Sequence, residues 1–214
     1  MSRLESYQQL LQQPLSVPAR LLLVLATFAI PFVFWFPLWT MSFESNQYPD
    51  PLRLAIHVDH IEGQKSAKRD DLREINSLNH YIGMRPLLES DFSELVWMPF
   101  VMGFFALLGL RAAVLGNLRD AADLAVIFLY FSGFSAWNFY SRLYQYGHNL
   151  DPEASIDVEP FTPPLFGRVK IANFWVESYP GGASIAIGVV GLCFFAAVVA
   201  AYLKIRSRRA EPAA

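Results

Sequence analysis

The chain has 214 residues, 54% of them hydrophobic and 17% charged, with a formal charge of −2 and a mean hydropathy of +0.29. This balance is too apolar for an ordinary soluble domain, and without a basic excess there is no general nucleic-acid binder, since phosphate neutralisation needs concentrated Lys and Arg. One cysteine, Cys193, excludes an intramolecular disulfide framework and any multi-cysteine zinc or iron–sulfur site.

The apolar residues lie in long blocks, so the expected fold class is an all-α membrane protein. It would have four transmembrane helices, both termini cytoplasmic, and a structured extracytoplasmic cap built from two loops. In residues 1–20, Leu4, Tyr7, Leu10 and Leu11 fall near one face of a short helix that Pro14 ends, which predicts an amphipathic arm on the inner leaflet. A hydrocarbon core about 30 Å thick takes roughly 20 apolar residues in a helix, and 21–41 is the first stretch of that length. It is too aromatic for a cleaved signal peptide and no small-x-small site follows it, so it reads as an uncleaved anchor. Pro31 and Pro37 would kink it, and 34–39 reads as an interfacial aromatic belt.

The first outer loop, 42–94, is longer than a connection needs and predicts structure of its own. Residues 54–60 alternate as a strand that Gly63 closes. Leu72, Ile75, Asn79 and Ile82 recur at helical spacing, predicting a helix over 68–81 with Gly83 as its stop and Pro86 barring continuation. Asp70 and Asp71 read as the solvated start of that helix. Spans follow at 95–115 and 122–140, joined by a short turn, with Arg111 and Asp123 snorkelling at the inner boundary. The second outer loop, 141–182, reads as irregular and rich in Pro and aromatics, with 171–176 lying flat at the interface and the first loop as its packing surface. The last span is 183–203, where Gly182, Ala186 and 188–191 suggest close helix packing. Residues 204–214, with Lys204 to Arg209, form a basic cytoplasmic flank.

Lys and Arg density sets the orientation. The short side holds eight such residues in 42, whereas the two loops hold nine in 95, so the termini are expected inside and the loops in the periplasm or its equivalent. Fifteen of the nineteen acidic residues lie in those loops. All four histidines do too: His57, His60, His80 and His148.

His57, Asp59 and His60 place three possible ligands in four residues. His80 and Met84 are one helical turn apart if the helix extends that far. Imidazole suits copper, zinc, iron and nickel, and a thioether shifts the preference toward copper, especially Cu(I). The plainer alternative is that these histidines are solvated or hydrogen-bonded, that Asp59 faces water, and that Met84 is a hydrophobic plug. A haem shared with another subunit through His80 or His148 is a further option. Gly-rich phosphate loops, His-Glu-x-x-His and nucleophile-elbow motifs are all missing from the sequence.

The strings Ile75-Asn-Ser-Leu-Asn-His80-Tyr-Ile-Gly-Met84-Arg-Pro86 and Tyr146-Gly-His-Asn-Leu-Asp-Pro152, followed by Phe161-Thr-Pro-Pro164, resemble a group of small bacterial multi-pass inner-membrane proteins associated with copper-handling and respiratory gene sets. The resemblance implies that His80, Met84 and His148 belong to the stretches that define the group.

The leading expectation is therefore a non-enzymatic protein of the bacterial inner membrane whose periplasmic cap binds or hands on copper. The candidate ligands are His57, His60, His80, Met84 and His148, with Asp59 orienting an imidazole or ligating directly. Its partners would be the lipid bilayer and a membrane-protein subunit or a second copy. The alternatives are a structural or assembly subunit with incidental histidines, and a metal-dependent membrane enzyme.

Overall fold

The computed structural model describes residues 3–171 and 173–210, without the side chains of residues 3, 4, 209 and 210. The expected roles of Leu4 in the arm, residue 172 at the interface, and Arg209 and 211–214 in the tail lie outside the described residues. Among the described residues there are six α-helices, α1 (Arg3–Leu11), α2 (Val17–Ala29), α3 (Asp71–Tyr81), α4 (Glu94–Leu115), α5 (Leu118–His148) and α6 (Gly182–Ala210), with three strands between α2 and α3 and two between α5 and α6. The strands are β1 (Trp39–Glu44), β2 (Leu52–Ile56), β3 (Ile61–Gly63), β4 (Gly167–Ile171) and β5 (Phe174–Pro180). The chain divides into two units, Met1–Phe32, Phe100–Gly133 and Ala186–Ala214 in one, Val33–Pro99 and Phe134–Ile185 in the other.

Among the described residues, four helical segments are long and apolar enough to cross a membrane: Val17–Phe34, Glu94–Leu115, Leu118–His148 and Gly182–Arg208. The first ends before the expected residue 41. Ile30 precedes Pro31, which disfavours further α-helix, and the chain tightens into a 3₁₀ turn over Ile30–Phe34. The third runs eight residues past the expected 140, because the polar residues of its last turns are compatible with helix even though they are not apolar.

In the first unit alanines pack inward beside a few large apolar side chains, while many other large apolar side chains face outward. Ala19, Ala26, Ala112, Ala197 and Ala201 are buried with Leu23 and Leu124, while Leu21, Phe104, Leu107, Leu129 and Leu192 are exposed. So many exposed large apolar side chains are foreign to a soluble surface and suit contact with lipid. Phe194 and Phe105 fill the centre, each edge-on to Phe128 at 5.3 and 5.0 Å. Gly191 admits the Phe128 ring, whereas Gly188 faces open space, so the small-residue face of α6 is used at one glycine and not at the other. Arg20 donates to the Ala113 and Val114 carbonyls, satisfying the end of α4. Asn117 and Asp120 exchange backbone-to-side-chain hydrogen bonds of 3.0 and 3.2 Å, a capping box that starts α5. Arg111 and Asp123 pair with Asp120 and Arg119 respectively.

The second unit corrects the all-α expectation. Its five strands form one antiparallel sheet in the order β3-β2-β1-β5-β4. Trp39, expected at the end of a span, instead opens β1 and faces Ile56 on one side and Pro180 on the other. Residues 171 and 174–176, expected flat on the interface, are β-paired in β4 and β5. No local pattern marks these strands, because β1 pairs with β5 across about 135 residues of sequence and neither strand is long or strictly alternating. Met41, Leu54, Ile61, Ile75 and Val176 join α3 to the sheet in one apolar core.

The start of α3 also differs from expectation. Asp70 is its N-cap, but Asp71 is fully buried instead of solvated. It accepts from the Arg53 backbone N–H at 2.8 Å and from Arg69 Nε at 2.6 Å, which ties the helix to β2.

Candidate metal site

Antiparallel register builds the site. Ile56 faces Ile61 and Ala55 faces Glu62, so His57 and His60 oppose each other across a tight turn, closed by a 2.8 Å hydrogen bond from the His57 N–H to the His60 carbonyl. Side chains alternate faces along a strand, which brings Glu62 to the same side as His60. Donor atoms of His57, His60 and Glu62 all lie within 4.8 Å of one another. Among the described residues this is the one group of three or more His, Cys, Asp or Glu side chains arranged to hold an ion.

His57 is buried, and its Nε2 donates to Glu62 Oε1 at 3.1 Å. Its Nδ1 is buried with no hydrogen-bond partner. His60 Nδ1 contacts Asp59 Oδ1 at 2.7 Å. A carboxylate only accepts, so Nδ1 carries the proton there and Nε2 is left as the electron-pair donor. Asp59 thus orients an imidazole, an arrangement common behind metal-bound histidines. The His57 and His60 rings are stacked, with centroids 4.3 Å apart and planes 7° from parallel. Lone pairs of parallel imidazoles run side by side, so one ring must rotate for both to meet a single ion. His60 has 42% of its side chain exposed and room to turn, whereas His57 is enclosed. An ion at this place would replace the proton between His57 Nε2 and Glu62 and draw His60 in.

The other candidates are placed elsewhere. His80 is exposed on the last turn of α3, its ring tilted against Tyr81. His148 ends α5, hydrogen-bonded through Nδ1 to the Tyr144 carbonyl and stacked on the Tyr144 ring at 3.8 Å. Met84 is half-buried and lines an apolar cavity beneath the sheet. Neither His80 nor His148 belongs to the three-residue group. Glu62, which does belong, was absent from the sequence-based set; the signal that could have found it is its two-residue offset from His60, beyond the turn.

The two strings that carry the resemblance meet through backbone. α3 ends in a Schellman motif, Gly83 N–H to the His80 carbonyl and Met84 N–H to the Asn79 carbonyl, with Gly83 at φ 76°. The Asp151 N–H donates to the Gly83 carbonyl at 2.8 Å, the Ile156 N–H to Tyr81 at 2.9 Å, and the Phe161 N–H to Gly147 at 3.0 Å. Both glycines sit where a Cβ would collide with the facing strand of loop, 2.7 Å from the Asp151 carbonyl oxygen at Gly83 and 1.8 Å from that of Phe161 at Gly147.

No protein-family model matches this chain, and neither a curated protein nor a solved structure is significantly similar to it.

Proposed function

We propose that the chain is a multi-pass protein of the bacterial inner membrane whose extracytoplasmic cap binds a copper ion at His57, His60 and Glu62 and hands it to a membrane-bound partner. The observation that carries this reading is the convergence of two imidazoles and a carboxylate on one hairpin, with Asp59 behind His60. Two nitrogens and an oxygen suit a divalent ion, and among divalent first-row metals Cu²⁺ binds such a set most tightly. Two imidazole nitrogens and a carboxylate oxygen favour Cu²⁺ over the Cu(I) that a thioether would select. Glu62 and His60 are substantially exposed, which leaves open coordination positions through which an ion can pass to an acceptor. The charge distribution of the loops supports placing the hairpin outside the cytoplasm.

Copper titration of the purified full chain, read by bound metal per chain, tests the reading. One copper per chain is expected. It is lost in His57→Ala/His60→Ala and retained in His80→Ala/His148→Ala; the opposite pattern would overturn the assignment.

A second reading, a docking subunit of a larger membrane complex, is favoured by the exposed Val169 on the edge strand β4 and the exposed Trp175 and Tyr179 on β5 next to it. Isolation in mild detergent with a stoichiometric partner and no metal would select it.

A further inference from the structure

Beneath the sheet lies a cavity of about 540 Å³, walled by β1, β2 and α3 and floored by the first turns of α4 and the last turns of α5. Sites of this size take a drug- or lipid-sized molecule and are lined mainly by apolar side chains with a few polar groups that fix orientation. Here Leu54, Ile75, Phe92, Trp97, Phe139 and Phe174 supply apolar walls.

The charge of the lining decides what kind of head group fits. Apart from His57, the charged side chains that line the cavity are Glu94 and Arg142, and they close on each other. Arg142 Nε and a terminal nitrogen donate to the two Glu94 oxygens at 3.1 and 3.2 Å, and Asn138 donates to the same carboxylate. A ligand carboxylate or phosphate would have to displace Glu94 to reach the guanidinium, and an ammonium would have to displace Arg142. Both charged heads are therefore disfavoured. Two uncharged positions remain open, since His57 Nδ1 and Ser135 Oγ are buried, belong to residues that line the cavity, and have no hydrogen-bond partner. A buried polar atom left unpaired is destabilising, and a ligand that pairs it gains by that amount. With Nε2 donating to Glu62, Nδ1 is an acceptor, so a ligand hydroxyl can donate to it, while a hydroxyl or ester oxygen can accept from Ser135 Oγ.

We infer that this cavity binds one uncharged, long-chain amphiphile, its tail among the aromatic and aliphatic walls and its hydroxyl-bearing head paired with His57 Nδ1 or Ser135 Oγ. Such a molecule dissolves in a bilayer, and the cavity floor is formed by α4 and α5, two of the helices of membrane-crossing length.

The test uses the full chain in phosphatidylcholine nanodiscs containing a small fraction of monoolein or, separately, of oleate, with native mass spectrometry of the released protein. A single monoolein adduct is expected, with no oleate or phosphatidylcholine adduct above background. Leu78→Trp and Ser135→Phe narrow the cavity without touching the proposed metal ligands, and each should abolish the adduct while the circular dichroism spectrum stays that of the unaltered chain. No monoolein adduct, an adduct of equal or greater intensity from oleate or phosphatidylcholine, or an adduct that survives in folded versions of both variants would overturn the inference. If both variants fail to fold, the comparison of the three lipids on the unaltered chain decides alone.

Discussion

Asp71 illustrates how one side chain can join two elements. A carboxylate with 0% exposure is costly unless its lone pairs are filled, and here the Arg53 N–H and the Arg69 guanidinium fill them. Arg69 also reaches the Asp50 and Pro51 carbonyls, so the group holds the β1–β2 connection, β2 and α3 together. Asp71→Ala leaves the Arg53 N–H without its acceptor and a largely enclosed guanidinium without its carboxylate, and should cost roughly 2 to 4 kcal/mol, read as a lower unfolding temperature of the full chain in detergent. The residue was visible in sequence only as part of the pair Asp70-Asp71, and pattern alone assigned both to water. Which of two adjacent carboxylates turns inward depends on where β2 lies, and β2 is about eighteen residues away. At the hairpin the same limit applied to Glu62, whose role depends on a register fixed by the pairing of β2 with β3.

Elements with local causes were legible and those made by distant pairing were not. The helix over Asp71–Tyr81 carries its own periodicity, its own N-cap and a glycine stop, and each of these signals is contained within fifteen residues. β1 and β5 carry none of that; each is held between two neighbouring strands, one of them the other, and Trp39 also donates from its indole to Ser178 at 2.8 Å. Gly83 combines the two kinds of constraint. At φ 76° it occupies a conformation that costs other residues roughly 1 to 2 kcal/mol, and it also admits the Asp151 backbone. Gly83→Ala should therefore be more damaging than the conformational cost alone, roughly 2 to 4 kcal/mol when the 2.7 Å approach is added. Hydrogen exchange should report the loss locally, at the Asp151 and Ile156 amides. Unchanged protection there would mean that the two resemblance strings are not held together through this turn.

For the whole molecule, the sequence made the four apolar segments legible because hydropathy is a property of windows, and the helices with membrane-crossing length fall close to where the apolar blocks do. The proposed orientation makes a prediction of its own. In a Cys193→Ser background, Gln64→Cys in the exposed segment after β3 should react with a membrane-impermeant maleimide on intact spheroplasts, while Ser207→Cys should react only after lysis. The reverse labelling would put the hairpin in the cytosol and end the copper-transfer reading. Whether two imidazoles share one ion is read directly by continuous-wave electron paramagnetic resonance of the full chain loaded with one equivalent of Cu²⁺. Superhyperfine structure from two equivalent nitrogens is expected, falling to one in His60→Ala with Glu62 retained. A spectrum with no nitrogen coupling, or one indifferent to substitution of His57 and His60, would contradict it.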